Sequence, residues 1–197
     1  IRDRDVTGVQ TCALPILPAG LQASLGGAPP SAIVVTDEQA ASGARSLRLT
    51  DQPGLEQSWQ PHAYWQPNLR TGTVRASVRL RLSPGAQPVF EWRTPSQPFA
   101  TGPSLSFSPT GHLLANGQAV AQVPADEWLT IEIDCPLGPA ANGTYQLRLR
   151  VGDGPLEDLG PQTCQPEFRR LGWVGLVMSA DSDATVYLDD LSIRTEP

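Results

Sequence analysis

Apolar and polar residues alternate with a period of two along several segments of this chain. The longest is 73–83, where every second residue is apolar: Val74, Ala76, Val78, Leu80 and Leu82. The same alternation recurs in 128–135 and 144–151. A period of two predicts β-strands with one apolar and one polar face. A sheet of such strands must bury its apolar face on a second sheet, so the pattern predicts a β-sandwich.

Shorter segments complete the predicted sandwich. We expect further strands at 32–36, 46–50, 88–93, 105–107, 111–115, 118–123, 171–178 and 185–194. The dipeptide Asn116-Gly117 tolerates the two positive φ angles of a type I′ turn, so it predicts a tight hairpin. Residues 59–68 are interpreted as irregular strand and loop, and 152–168 as loop. No segment has a helical period. About eleven strands joined by short turns predict an all-β, two-sheet antiparallel sandwich of the jelly-roll type.

The first part of the chain differs from the rest. Residues 1–16 have no clear structural period and resemble translated sequencing-adapter read-through, so we interpret them as a non-native leader. Residues 17–31 are rich in Gly, Pro and Ala, which is typical of a linker. The length of 32–197 suits one large β-sandwich domain.

Composition narrows the range of partners. The net charge is −6, which argues against nucleic acid because phosphate binding needs a basic surface. No apolar run approaches the roughly 20 residues that a membrane-spanning helix needs. We therefore expect neither a nucleic-acid partner nor a membrane span.

Two cysteines remain when Cys12 of the leader is set aside. Cys135 and Cys164 lie in a proline-rich β domain, which predicts one disulfide between them and an oxidising compartment, extracellular or periplasmic. The alternative is a pair of reduced, buried thiols, since Cys135 lies on the apolar side of its strand.

Three segments together resemble the concanavalin A-like lectin/glucanase superfamily. They are GHLLANGQAV at 111–120, PADEWLTIEI at 124–133 and VYLDDLSI at 186–193: a short hairpin, a Trp-led strand and a last strand with the pattern Y-L-D-D. The resemblance covers about 37–193. Within the superfamily, the chain is similar to C-terminal modules of large secreted bacterial proteins, often attached to carbohydrate-active domains. The superfamily includes lectins, carbohydrate-binding modules, glycoside hydrolases and polysaccharide lyases, and the fold alone does not choose between them.

The resemblance also implies a structural Ca²⁺ site. In similar carbohydrate-binding jelly rolls, a Ser-Gly-x-x-Ser-Leu segment (42–47 here) lies close to an Asp-Asp pair in the last strand. Oxygen ligands there often hold Ca²⁺, and the chain could supply them from four acids: Asp37, Glu38, Asp189 and Asp190. The alternative is that these acids are simply solvated. No cofactor is otherwise required.

Two groups of residues are candidates for ligand contact. The first is a set of ring-bearing residues that could stack on sugar faces: Trp59, His62, Tyr64 and Trp65. The second is Glu91 and Arg93, which share one face of a strand, where an arginine could bind a carboxylate. The alternatives are core packing for the rings and ion pairing for the charges. Cross-strand ion pairs are what we expect of a third group, Glu132, Asp134, Arg148 and Arg150. Trp92 and Trp173 are assigned to the core or its border.

No catalytic signature accompanies these candidates. The Glu-x-Asp-x-x-Glu strand motif of retaining glycosidases in the superfamily is absent. A lyase would need a Tyr or His base beside a basic residue, for which His62 and Tyr64 are conceivable. We therefore expect a non-catalytic carbohydrate-binding or accessory module of a larger secreted protein, with a glycan or an attached catalytic domain as its partner. The alternatives are a glycoside hydrolase or lyase of the same fold, and a structural spacer or adhesion domain without a small ligand.

Overall fold

The computed structural model describes residues 18–29 and 32–196, which form two antiparallel sheets of seven strands each. Sheet A has the spatial order β1 (Gln22–Ser24), β4 (His62–Trp65), β13 (Trp173–Val177), β6 (Val89–Arg93), β7 (Thr101–Phe107), β8 (His112–Ala115) and β9 (Gln118–Gln122). Sheet B has the order β12 (Glu157–Thr163), β11 (Thr144–Val151), β10 (Trp128–Leu137), β5 (Gly72–Leu82), β14 (Ala184–Glu196), β3 (Ser46–Asp51) and β2 (Ile33–Thr36). A 3-10 turn over Gly138–Ala140 joins β10 to β11. The predicted all-β two-sheet sandwich is confirmed.

The core lies between the sheets and is built from the alternating apolar positions. In sheet B the inward residues of β5 and β10 are almost completely buried, as with Val78 and Ile131. Sheet A contributes Phe90 and Trp92 from β6, both fully buried. Full burial of one such large apolar side chain stabilises the fold by about 1.5–3 kcal/mol. The outward residues of the same strands are therefore free to form surfaces.

The predicted hairpin between β8 and β9 is confirmed. Asn116 and Gly117 have φ angles of 46° and 85°, the left-handed conformation at both turn positions. The Asn116 side chain also accepts a hydrogen bond from the Tyr145 hydroxyl, with 2.7 Å between the two oxygens. The turn is thereby fixed to the far sheet.

Three strands form where the sequence pattern predicts none or only an irregular one. β1 lies within the predicted linker and pairs with β4, which forms in the irregular segment. β12 lies within the predicted loop and pairs with β11, although it contains Gly160 and Pro161. β1 and β12 are edge strands with mostly exposed side chains, so they lack the apolar alternation that identifies a strand. The interpretation of 1–16 as a leader, and the linker residues 17, 30 and 31, lie outside the described residues.

The predicted disulfide is not found, and Cys135 and Cys164 are free thiols. Cys135 is buried in β10, whereas Cys164 follows the end of β12, and β11 lies between these strands. The Cys135 thiol donates a hydrogen bond to the carbonyl of Pro136 at 3.9 Å. Interaction with Cys164, together with burial, raises the pKa of Cys135, and interaction with Cys135 lowers the pKa of Cys164.

Within 18–29 and 32–196, no helix has the length and apolar character needed to cross a membrane.

Candidate functional site

The outward face of sheet A carries a cleft of about 660 Å³. Strands β1, β4, β13 and β6 form its floor, and residues before β4 and after β6 form its sides. We call it the aromatic cleft. It is lined by Ser24, Trp59, His62, Tyr64, Gln66, Arg93, Phe99, Trp173 and Val177.

A cluster of ring side chains covers the floor of the cleft. The ring centroids of Tyr64 and Trp173 are 5.7 Å apart, with 26° between their planes. His62 contacts both of these rings, stacked on Tyr64 at 5.5 Å and 29° and tilted against Trp173 at 6.4 Å and 53°. Trp59 lies at the edge of the cluster, tilted against His62 at 5.3 Å, and it is 47% exposed. Trp59 is therefore the ring most available to a ligand.

The position of Trp173 depends on a glycine two residues along the same strand. A Cβ atom on Gly175 would lie 2.1 Å from Cη2 of the Trp173 indole. The indole therefore occupies the space above residue 175 that a side chain would fill. Our assignment of Trp173 to the core or its border is wrong, because the side chain is half-buried and lines the cleft. Among alternate residues of β13, Val174 and Leu176 are the ones that reach the core.

Arg93 lies beside this cluster, with two rings packed against its guanidinium. Its guanidinium carbon is 4.3 Å from the ring centroid of Trp173 and 4.4 Å from that of Phe99. Its Nε donates a hydrogen bond to Oε1 of Glu91, and Oε2 of Glu91 accepts another from the Ser104 hydroxyl at 3.1 Å. Glu91 thus fixes the guanidinium at Nε, while the rings of Trp173 and Phe99 pack against it.

The segment between β6 and β7 holds Phe99 over Arg93. The backbone N–H of Thr94 donates to the carbonyl of Ala100 at 3.0 Å. In return, the backbone N–H of Ala100 donates to Oγ1 of Thr94 at 2.8 Å. These bonds close the segment at its base, so Phe99 is presented on a short, tied loop.

His62 is the titratable base of the cleft. Burial lowers its pKa, and the positive charge of Arg93 lowers it further, against a smaller opposite effect of a hydrogen bond with the Trp59 backbone. The imidazole is therefore neutral at neutral pH. Beside it, the Tyr64 hydroxyl donates to Oε1 of Gln22 on β1 at 2.8 Å.

The cleft gathers four of the six residues singled out for ligand contact: Trp59, His62, Tyr64 and Arg93. Glu91 does not line it but supports Arg93. Trp65 alternates with Tyr64 along β4 and packs against the core instead, so its assignment to the same site is corrected. Phe99 and Trp173 were missed. The glycine that follows Trp173 by two positions was the available sign that this indole could lie on the outer face.

The two segments expected to lie close together in similar jelly rolls do so. Oδ2 of Asp189 accepts hydrogen bonds from the backbone N–H groups of Ala41 and Ser42, at 2.8 and 3.2 Å. Asp190 accepts from the Ser42 hydroxyl at 2.6 Å and is paired with Arg79 at 3.4 Å.

Glu38, another of the four acids, also has protein partners. It forms an ion pair with Arg48 and accepts a hydrogen bond from the Tyr187 hydroxyl, and these two contacts lower its pKa. Across the described part of the chain, no group of three or more acidic, His or Cys side chains is arranged to hold a metal ion. Arginines and backbone donors occupy the carboxylates Glu38, Asp189 and Asp190, and Ca²⁺ binding that includes Asp37 remains an expectation from the resemblance.

The outward face of sheet B differs from that of sheet A. It carries cross-strand ion pairs, which we call the charge ladder. Arg148 pairs with Asp134 at 3.0 Å and with Glu132 at 3.7 Å, and Arg75 bridges Asp134 and Glu196 at 3.6 and 3.1 Å. This confirms the expected pairing of Arg148, whereas Arg150 has no acidic partner among the described residues. The charges of this face are mostly matched by each other.

No protein-family model and no curated protein sequence matches the chain. Solved structures do. An endo-β-1,4-glucuronan lyase from the fungus Trichoderma reesei has a TM-score of 0.63 at 11% identity, covering 83% of this chain and 87% of that one. The PL-14 alginate lyase from Aplysia kurodai has a TM-score of 0.60 at 10% identity, covering 85% and 88%. The carbohydrate recognition domain of Emp47p has a TM-score of 0.51 at 10% identity, covering 92% and 90%.

At these identities the likeness concerns the fold. Enzymes and a carbohydrate recognition domain share the two-sheet sandwich with this chain, in agreement with the concanavalin A-like resemblance of its sequence. The likeness cannot separate binding from catalysis.

Proposed function

We propose that this protein is a non-catalytic module that binds carbohydrate in the aromatic cleft of sheet A. The observation that carries the proposal is the cluster of rings, open to solvent at Trp59 and packed against Arg93. Ring faces suit the apolar faces of sugars, and the cleft has the volume of a small-ligand site. The carbohydrate-related proteins that share the fold support this choice.

A glycan-array screen of the full chain tests the proposal. Binding to a defined oligosaccharide is expected, and Trp59→Ala should weaken it about 2- to 10-fold, since an aromatic contact contributes about 0.5–1.5 kcal/mol. Trp128→Ala is the matched control, because Trp128 begins β10 of sheet B. No binding to any glycan, or equal loss with both variants, would contradict the proposal.

Catalysis in the same cleft is the second candidate. The observation in its favour is a neutral His62 beside Tyr64 and Arg93, because a neutral imidazole can accept a proton from a bound substrate. Incubation with polysaccharides, followed by assays for new reducing ends and unsaturated sugars, separates the two functions. Cleavage that His62→Gln abolishes would establish the enzyme.

We also propose that the module belongs to a larger secreted bacterial protein, extracellular or periplasmic, beside a carbohydrate-active domain. The support is the resemblance of segments 111–120, 124–133 and 186–193 to such modules. The full reading frame from the source DNA tests this: it should encode a secretion signal and an adjoining domain, and a frame without them would contradict it.

A further inference from the structure

We infer that the aromatic cleft takes an acidic sugar, a uronate, whose carboxylate binds the exposed edge of the Arg93 guanidinium. The inference rests on the proposed carbohydrate binding and names the class of sugar. It follows from how Arg93 is held, from the charges around it and from the cluster of rings beside it.

The guanidinium of Arg93 is held in place, but not all of its hydrogen-bond donors have partners. The rings of Trp173 and Phe99 pack against it, and its Nε is committed to Glu91. Among the described residues, no group accepts a hydrogen bond from its Nη1 or Nη2, and the side chain is 31% exposed. An arginine offers its donors as a planar fork that matches the two oxygens of a carboxylate. Because the surrounding contacts already hold this fork, a ligand need not order it on binding.

The arrangement of charges favours an anion at this edge. Among the described residues that line the cleft, Arg93 alone carries a charge at neutral pH, since His62 is neutral there. Its counter-charge, Glu91, is only 14% exposed and does not line the cleft. The negative charge is therefore bound at Nε and lies outside the cleft lining, which leaves Nη1 and Nη2 as free donors. A neutral sugar would offer these donors only hydroxyl groups, whereas a carboxylate would bind them with charge-assisted hydrogen bonds.

The cluster of rings adjoins the guanidinium. The Trp173 ring centroid lies 4.3 Å from the guanidinium carbon of Arg93, and His62 contacts both Trp173 and the exposed Trp59, at 6.4 and 5.3 Å. We place the carboxylate at Arg93 and a neighbouring sugar face at Trp59.

Isothermal titration of the full chain with paired tetrasaccharides tests the inference. The probes are tetrasaccharides of glucuronate, mannuronate and galacturonate, each compared with the same compound after its carboxylates are reduced to hydroxymethyl groups. At least one uronate should bind, and its reduced form should bind about 10- to 100-fold more weakly, because a hydrogen-bonded charge contact is lost. This comparison changes the ligand alone, so it does not depend on whether a variant folds.

Protein variants locate the effect. Arg93→Gln should weaken uronate binding by a similar factor and leave binding of the reduced form within about twofold. Arg93→Lys keeps the charge without the fork and should fall between the two. Arg194→Gln is the matched control, because Arg194 is an exposed arginine on β14 of sheet B, and it should bind as the natural chain does.

The outcomes separate this inference from the proposed function. Equal binding of the natural and reduced forms, still weakened by Trp59→Ala, would overturn the uronate assignment and leave carbohydrate binding in place. A sulfated neutral tetrasaccharide that binds as tightly as the uronate would overturn the carboxylate as the recognised group. Binding of neither form of any probe would overturn the uronate assignment, and carbohydrate binding would then be decided by the glycan array.

Discussion

Gly175 determines how the Trp173 indole lies in the cleft. The Trp173 indole occupies the volume that a side chain at position 175 would take, which keeps it between Tyr64 and Arg93. The sequence could not reveal this in advance, because the run WVGLV is apolar at both alternating sets of positions and predicts burial on both faces. The orientation of the Trp173 indole depends on Gly175, which has no side chain.

Gly175→Ala should therefore disturb the cleft more than the fold. The added Cβ must displace the indole, which removes one of the two rings that hold Arg93. We expect about tenfold weaker glycan binding and a loss of about 1–2 kcal/mol in the free energy of unfolding, as for a small overpacking change. Titration calorimetry and urea denaturation measure the two effects. Unchanged affinity would show that the indole position does not matter for binding.

His62 should make stability depend on pH. Its pKa is lowered in the folded state by burial and by Arg93, so below about pH 6.5 the unfolded chain binds a proton that the folded chain does not. This contribution to stability is therefore present above the unfolded pKa and declines as the pH falls below it.

The comparison of Tm between about pH 8 and pH 5 for the natural chain and for His62→Gln isolates this group. The natural chain should lose more Tm on acidification than the variant. If the Tm of the two proteins changed equally with pH, His62 would have the same pKa in the folded and unfolded states, which would contradict the prediction.

At the scale of elements, the alternation of apolar and polar residues predicted the strands whose side chains form the core. It missed the strands that contribute few side chains to the core. β5, β10 and β11 have long alternating patterns, and all three form the middle of sheet B as expected. β1 and β12 are edge strands that pair with their neighbours through backbone hydrogen bonds. Backbone pairing does not require an alternation of apolar and polar side chains, so the sequence pattern does not predict these strands. The aromatic cleft is built partly on β1 and β4, so the pattern could suggest its residues but not their assembly.

The centre of sheet B should dominate stability. Ile131 is fully buried in β10 between β5 and β11, and truncation to alanine leaves a cavity there. Ile131→Ala should lower the free energy of unfolding by about 2–5 kcal/mol. Leu156→Ala, at a position 37% exposed, should stay within about 0.5 kcal/mol in the same urea titration. Similar losses for the two variants would contradict this description of the core.

At the scale of the whole molecule, the two outer faces of the sandwich have different surfaces. A structural spacer would be expected to carry charges that neutralise each other, and sheet B does so in its charge ladder. Such exposed pairs contribute only about 0–1 kcal/mol each. Sheet A instead presents stacked rings and an arginine edge without an acidic partner in front of it. The asymmetry favours a ligand on sheet A over a purely structural role.

The most direct test of this asymmetry is a proton–nitrogen correlation spectrum recorded during titration with an oligosaccharide that the array identifies. The chain has five tryptophans, whose indole N–H signals report on separate places in the fold. The signals of Trp59 and Trp173 should shift, while those of the buried Trp92 and of Trp128 in sheet B should not. Shifts confined to sheet B, or a spectrum without any shift, would contradict a glycan site in the aromatic cleft.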